Sequence, residues 1–239
     1  MNITSDALLT DLYELTMAQA YLAQGMTDIA VFEFFVRKLP PQRNFFMAAG
    51  LEQVLSYLEA FQFSDADIAW LDQTGGFRPA SLNALRAMRF TGEVHAMPEG
   101  SLFFPHEPIL RITAPLPQAQ LVETRVMNLL NFQTMVASKA CRSVLVAGDK
   151  PLIDFGLRRA HGAEAGLLAA RAAYLAGLAG TSNVSAGARF GIPIYGTMAH
   201  SFVQAHLDEA KAFIHIAEAQ PRNVVLLIDT YDTEAAAEK

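Results

Sequence analysis

Apolar residues early in the chain recur at helical steps: Leu8, Leu9, Leu12, Leu15, Thr16 and Ala20 fall on one face of a helix over about residues 6–24. Ser5 or Asp6 is suited to cap it and Gly25 to stop it. The uninterrupted run Ile29-Ala-Val-Phe-Glu-Phe-Phe-Val36 predicts a buried strand, and Leu51–Phe61 and Asp65–Asp72 predict helices. Between Phe90 and Thr113 the pattern shortens. Gly92-Glu-Val-His-Ala96 and Pro108-Ile-Leu-Arg-Ile-Thr113 predict antiparallel strands of a small sheet, with Pro98, Pro105, Pro108, Pro115 and Pro117 at the turns. Helical spacing returns from Leu121 to Ala140 and leads into a region of different character.

Beyond about residue 150, short apolar runs alternate with helical segments. Leu152–Phe155 precedes a helix from Ala163, and Gly177–Ser182 precedes one from Asn183. Ile192–Tyr195 precedes a helix from Ser201 that includes His206 and His215, and Asn223–Thr230 precedes one from Thr233. Strands buried on both faces and joined by helices form parallel sheets, either doubly wound or closed as a barrel. A complete eight-unit barrel takes about 250 residues and only about 90 remain here, so at most half of one is expected. The last run, Val224–Ile228, is apolar on both faces and would leave an exposed parallel edge. The chain therefore looks cut short. The expected organisation is α/β: an α+β N-terminal domain over 1–140, including the helix that leads onward, then the first βα units of a barrel over 141–239.

Composition narrows the class. In 239 residues, 52% are apolar and 18% charged, enough to bury a sizeable core. Every long apolar stretch is broken before the ~20 residues needed to cross a bilayer, and no basic flank precedes an apolar run at the N-terminus. Neither a membrane partner nor an export signal is expected. A net charge of −6 argues against general nucleic-acid binding and requires any phosphate to be held locally. The single cysteine, Cys141, can form no internal disulfide, so it is expected as a small packing residue and the location as cytoplasmic.

Chemistry concentrates at Ile192-Pro-Ile-Tyr-Gly-Thr-Met-Ala-His-Ser-Phe202, where a strand meets a glycine and Thr197 and His200 stand at the start of a helix. In parallel α/β folds, ligands sit beyond the carboxyl ends of strands, where helix N-termini favour anions. The same residues equally suit a plain role, with His200 capping its helix and Thr197 satisfying a turn.

The chain resembles the N-terminal half, or slightly more, of the nicotinate phosphoribosyltransferase family. The resemblance rests on the order and spacing of Thr10-Asp-Leu-Tyr-Glu-Leu-Thr-Met17, Phe32-Glu-Phe-Phe-Val-Arg37, Asp154-Phe-Gly-Leu-Arg-Arg-Ala-His161, Gly180-Thr-Ser-Asn183, Gly196-Thr-Met-Ala-His-Ser-Phe202 and Leu227-Ile-Asp-Thr-Tyr-Asp-Thr233. It implies an enzyme that joins nicotinic acid to phosphoribosyl pyrophosphate, carried with Mg2+, giving nicotinate mononucleotide and pyrophosphate for NAD biosynthesis with ATP hydrolysis. It also implies an irregular barrel and a homodimer with sites at the interface; the early end of the chain leaves the barrel to be completed by a complementing chain, or the chain to be a fragment of a longer product. The later acidic and glycine-rich motifs of the family do not occur in these residues.

By the same resemblance, Phe155 and the neighbouring subunit's Tyr13 sandwich the pyridine ring. Arg158, rather than the adjacent Arg159, faces the base and phosphoribosyl group, and Arg37 reaches pyrophosphate across the interface. Ser182 stands where nicotinamide-using relatives carry an aspartate that would repel a carboxylate. Thr197 contacts carboxylate or phosphate, His200 is the histidine phosphorylated by ATP, and Asp229 orients the ribose or a metal-bound water. Two alternatives stay open: a nicotinamide phosphoribosyltransferase, or a non-catalytic binding module of a split enzyme.

Overall fold

A computed structural model describes residues 6–222 and 224–239. Its first region is a three-stranded antiparallel sheet flanked by helices. β1 (Ile29–Phe34) and β3 (Glu93–Ala96) both pair with the central β5 (Leu110–Pro115). The register places Phe32 and Val94 opposite Ile112, and Glu33 opposite Arg111, where the two side chains form an ion pair at 2.9 Å. β1 is not the fully buried strand that its apolar run predicts. Phe32 and Phe34 pack towards the core, whereas Ile29 and Val31 are 66% and 58% exposed, because helices cover only one face of this sheet.

The first helix, α1, covers Leu12–Ala23 and starts later than its apolar spacing predicts. Asp6 closes a local turn with Leu8 N instead of capping the helix, and Ser5 lies outside the described residues. α2 (Leu51–Glu59) and α3 (Asp65–Gln73) follow expectation, and a reciprocal capping box between Ser64 and Asp67 fixes the start of α3. α4 (Pro79–Ala87), opened by proline at its first position, and the two-residue strands β2 (Phe46–Met47) and β4 (Leu102–Phe103) went unpredicted. Two residues carry too little pattern to announce a strand. Phe46 and Phe103 hold this small ladder together through rings 5.6 Å apart.

After the short α5 (Leu116–Leu121), α6 (Glu123–Ala147) forms the spine and runs past the predicted end at Ala140. Its buried positions, Val126, Leu129, Leu130, Gln133, Thr134, Ala137, Ser138 and Cys141, follow one helical face. Cys141 is a packing residue as expected. Gly50 precedes α2 with a φ of 108°, and a Cβ there would lie 2.8 Å from the Leu129 carbonyl oxygen. The close approach of α2 to α6 thus needs glycine on both counts.

The second region begins with β6 (Ile153–Asp154) and β7 (Gly180–Thr181), which pair in parallel; Thr181 then bridges in parallel to Ile194. α7 (Ala163–Leu175) and α8 (Val184–Phe190) are the crossovers, with Asn183 capping α8. The strand expected over Ile192–Tyr195 is reduced to the single bridge at Ile194, and a Cβ on Gly180 would meet the Pro193 carbonyl oxygen at 2.3 Å, so the segment can close on β7 only at glycine. The mixed α/β class is as expected.

Two further expectations fail in this region. The helix expected from Ser201 is two helices, α9 (His200–Gln204) and α10 (Glu209–Ala219), because Asp208 accepts a 3.0 Å hydrogen bond from Ala210 N and caps a new start. The strand expected over 223–230 is not one: residue 223 lies outside the described residues, and 224–229 pair in no ladder. Leu227 and Ile228 instead pack with Met198, Val203, Phe213 and Ala236, the last of these in α11 (Thr233–Ala237). A doubly apolar run shows burial but not whether backbone or side chains will do the pairing. Among the described residues, no helix is long and apolar enough to cross a membrane.

Candidate active site

Four loops converge beyond the carboxyl ends of the parallel strands. Phe155 and Arg158 follow β6, the latter in a tight 3-10 turn at Leu157–Arg159. Ser182 follows β7, while Thr197, Met198 and Ala199 lead into α9, whose first residue is His200. These residues, with Leu157 and Leu227, line a cavity of about 420 Å³.

The strand ends are held together by Asp154, which went unpredicted. Its Oδ2 accepts a 2.8 Å hydrogen bond from Thr181 Oγ1 and its Oδ1 a 2.9 Å bond from Gly156 N, while its carbonyl accepts one from Ser182 N at 2.8 Å. The residues immediately after the two strands, Phe155 and Ser182, are therefore fixed on one rim. An acidic residue ending an apolar run just before Phe-Gly was the available signal.

His200 does not cap its helix through its side chain; Ala199 occupies the N-cap position with no side-chain bond. The ring instead places Nδ1 3.2 Å from Thr230 Oγ1, tying α9 to the irregular final segment. Thr197 Oγ1 donates to the Met198 carbonyl at 3.0 Å, so its hydroxyl serves the turn as well as the cavity wall. Neither Arg158 nor Arg159 forms an ion pair among the described residues, and only Arg158 lines the cavity. Among the described residues no carboxylate lines it, and Asp229 stands exposed outside it.

Tyr13 and Arg37 are elsewhere. Tyr13 is half-exposed on α1 within electrostatic reach of Glu123, and Arg37 lines a separate depression that also includes Phe35, Glu123 and Met127. The two share one outer surface near Glu123.

Profiles of known families match almost the whole chain. The N-terminal domain of nicotinate phosphoribosyltransferase matches residues 8–131, and the nicotinate phosphoribosyltransferase family matches 151–239. The chain belongs to the nicotinate phosphoribosyltransferase family. Over 227 residues it is 53% identical to nicotinate phosphoribosyltransferase pncB2 of Mycobacterium tuberculosis, covering 95% of this chain and 49% of that protein. It is 46% identical to the Bacillus subtilis nicotinate phosphoribosyltransferase, covering 95% and 46%. The crystal structure of human nicotinic acid phosphoribosyltransferase superposes with a TM-score of 0.86 at 36% identity, over 94% of this chain and 55% of that one. The chain spans about half the length of the curated relatives it matches.

A second polar centre, also unpredicted, ties α7 to the start of α2. Arg171 of α7 makes a two-pronged ion pair with Glu99, at 2.9 Å and 2.6 Å, and a further one with Glu52. Glu99 Oε1 also accepts from Gly50 N at 2.6 Å and Leu51 N at 3.1 Å, at the start of α2. Burial alone would push the Glu99 carboxyl upward, but Arg171 and these two N–H groups hold it below its ordinary value. One arginine in the otherwise apolar Leu167-Leu-Ala-Ala-Arg-Ala-Ala173 was the sequence signal.

Proposed function

We propose that this chain carries the base-binding and phosphohistidine portion of an enzyme that joins nicotinic acid to phosphoribosyl pyrophosphate in NAD biosynthesis. The observation that carries this reading is the gathering of Phe155, Arg158, Ser182, Thr197 and His200 around one cavity, although they come from three separate segments of the chain. Residues 1–140 form the α+β domain and 141–239 the first βα units of the barrel, in a cytoplasmic homodimer or with a complementing chain. Tyr13 and Arg37, displayed together on the outer surface, serve the cavity of the neighbouring copy.

In the reaction, the pyridine nitrogen forms a bond to the ribose anomeric carbon as the carbon–oxygen bond to pyrophosphate breaks. The exposed ring of Phe155 offers one stacking face for the base. Arg158 supplies a planar fork for carboxylate or phosphate, and its charge matters more than the dipole of the five-residue α9. Ser182 gives the carboxylate of nicotinic acid a neutral neighbour. Among the described residues the cavity offers no carboxylate to Mg2+, so the ion would be held by the phosphates of the substrate and by water, the oxygen ligands it prefers.

ATP phosphorylates His200. Because Nδ1 faces Thr230, the ring nitrogen left to accept the phosphoryl group is Nε2; ADP leaves, and hydrolysis later returns the imidazole. Incubation with ATP is expected to add the mass of one phosphoryl group to the wild type and none to His200→Asn. Equal labelling of both proteins, or preferential use of nicotinamide over nicotinic acid, would overturn the reading.

A further inference from the structure

The break between α9 and α10 creates a second constellation, outside the cavity. His206, just past α9, turns back so that its Nε2 lies 2.9 Å from Nδ1 of His215 on α10. The ring centroids of His206 and His215 are 5.0 Å apart, and Phe202 packs against His206 with its ring centroid at 4.8 Å. His206 Nδ1 lies 2.7 Å from the Phe202 carbonyl oxygen. A carbonyl can only accept, so Nδ1 carries the proton and Nε2 of the neutral ring presents a bare lone pair. His215 must then supply the single proton between the rings.

We propose that His206 Nε2 and His215 Nδ1 form a two-histidine chelate for a divalent transition ion of the Ni2+ or Cu2+ type. Three observations converge on this. A backbone carbonyl holding the opposite N–H is the usual support of a metal-binding imidazole, because it fixes both tautomer and ring direction. Imidazole nitrogen suits these ions. The 2.9 Å between the nitrogens is the length of the hydrogen bond that joins the rings, and two ligands at right angles on metal–nitrogen bonds of about 2.0–2.1 Å need that same separation once both rings tilt towards the ion. Tetrahedral Zn2+ would need the pair to open by roughly 0.4–0.5 Å.

Binding needs no net proton release from the neutral pair: the proton on His215 moves from Nδ1 to Nε2, and the ion takes the vacated lone pair. Among the described residues no third histidine, cysteine or carboxylate completes a cluster, so water fills the remaining positions. His215 is exposed, which leaves the ion a path from solvent. A bound ion would clip the end of α9 to α10 and brace the short helix that begins with His200.

The test is calorimetric titration of the whole chain with Ni2+, together with Cu2+ electron paramagnetic resonance. One site showing coupling to two imidazole nitrogens is expected in the wild type. His206→Gln and His215→Gln should each weaken it on the order of tenfold or more, the range seen when a metal site loses a supporting group. His161→Gln, at an exposed histidine remote in sequence, should bind as the wild type does. Circular dichroism confirms that each variant is folded. Wild-type affinity in both variants, or no specific site in the wild type, would overturn the proposal.

Discussion

Asp154 Oδ2 accepts a 2.8 Å hydrogen bond from Thr181 Oγ1, and this contact locks together the ends of two parallel strands. Because the next residue of each strand lines the cavity, the bond sets the distance between Phe155 and Ser182. Asp154→Ala removes a charged acceptor from two hydrogen bonds, at an expected stability cost of roughly 2 kcal/mol. Nicotinate binding should fall by more than stability alone explains. Urea unfolding and nicotinate titration of the same variant, compared with Asp154→Asn, check this; unchanged binding by the alanine variant would contradict it.

The Glu99–Arg171 pair predicts an acid-sensitive fold. Glu99 ionises more readily folded than unfolded, so its contribution is present above the unfolded value of about 4.3 and is lost as pH falls through the lower folded value. The urea midpoint should drop steeply in that window, and Glu99→Gln should flatten the drop. Arg171→Met leaves Glu99 largely buried without its cation and is expected to cost on the order of 3 kcal/mol at neutral pH.

Glu14 has the opposite sign. It is fully buried on α1, where burial raises its carboxyl above the ordinary value despite hydrogen bonds from Thr10 and Thr124. Its contribution is therefore present below the unfolded value and lost as pH rises through the folded one. Glu14→Gln, which mimics the protonated form, should raise the melting temperature at neutral pH and leave it nearly unchanged in acid. Scanning calorimetry at both conditions decides; a lower melting temperature at neutral pH would show that the hydrogen bonds outweigh the burial.

Ser182→Asp tests base discrimination. A carboxylate beside the bound base should weaken nicotinate at least tenfold, about 1.4 kcal/mol, while leaving nicotinamide equal or better. Titration with both bases reads the ratio, and an unchanged ratio would remove Ser182 from the specificity argument.

Thr197 and His200 were legible because their chemistry is local, a short apolar run and a glycine leading into a helix, whereas Phe155, Arg158 and Ser182 were reached only through the family resemblance. Asp154 and Arg171 were missed because their importance lies in partners 27 and 72 residues away, which no local period reveals. The strand expected over 223–230 failed for a related reason. An apolar run declares that it will be buried, and only its neighbours decide whether a ladder or side-chain packing buries it. The His206–His215 contact was concealed by reading one helix where Asp208 begins a second.

The ion pair between Glu33 and Arg111 spans 78 residues of sequence, and the strands that carry it pair across the same gap. On a ribosome adding about 5–20 residues per second, β1 waits roughly 4–16 s for its partner to be made. Throughout that interval Phe32 and Phe34 have no sheet to join. The aromatic face that later anchors this region is, during synthesis, a segment for a chaperone to hold.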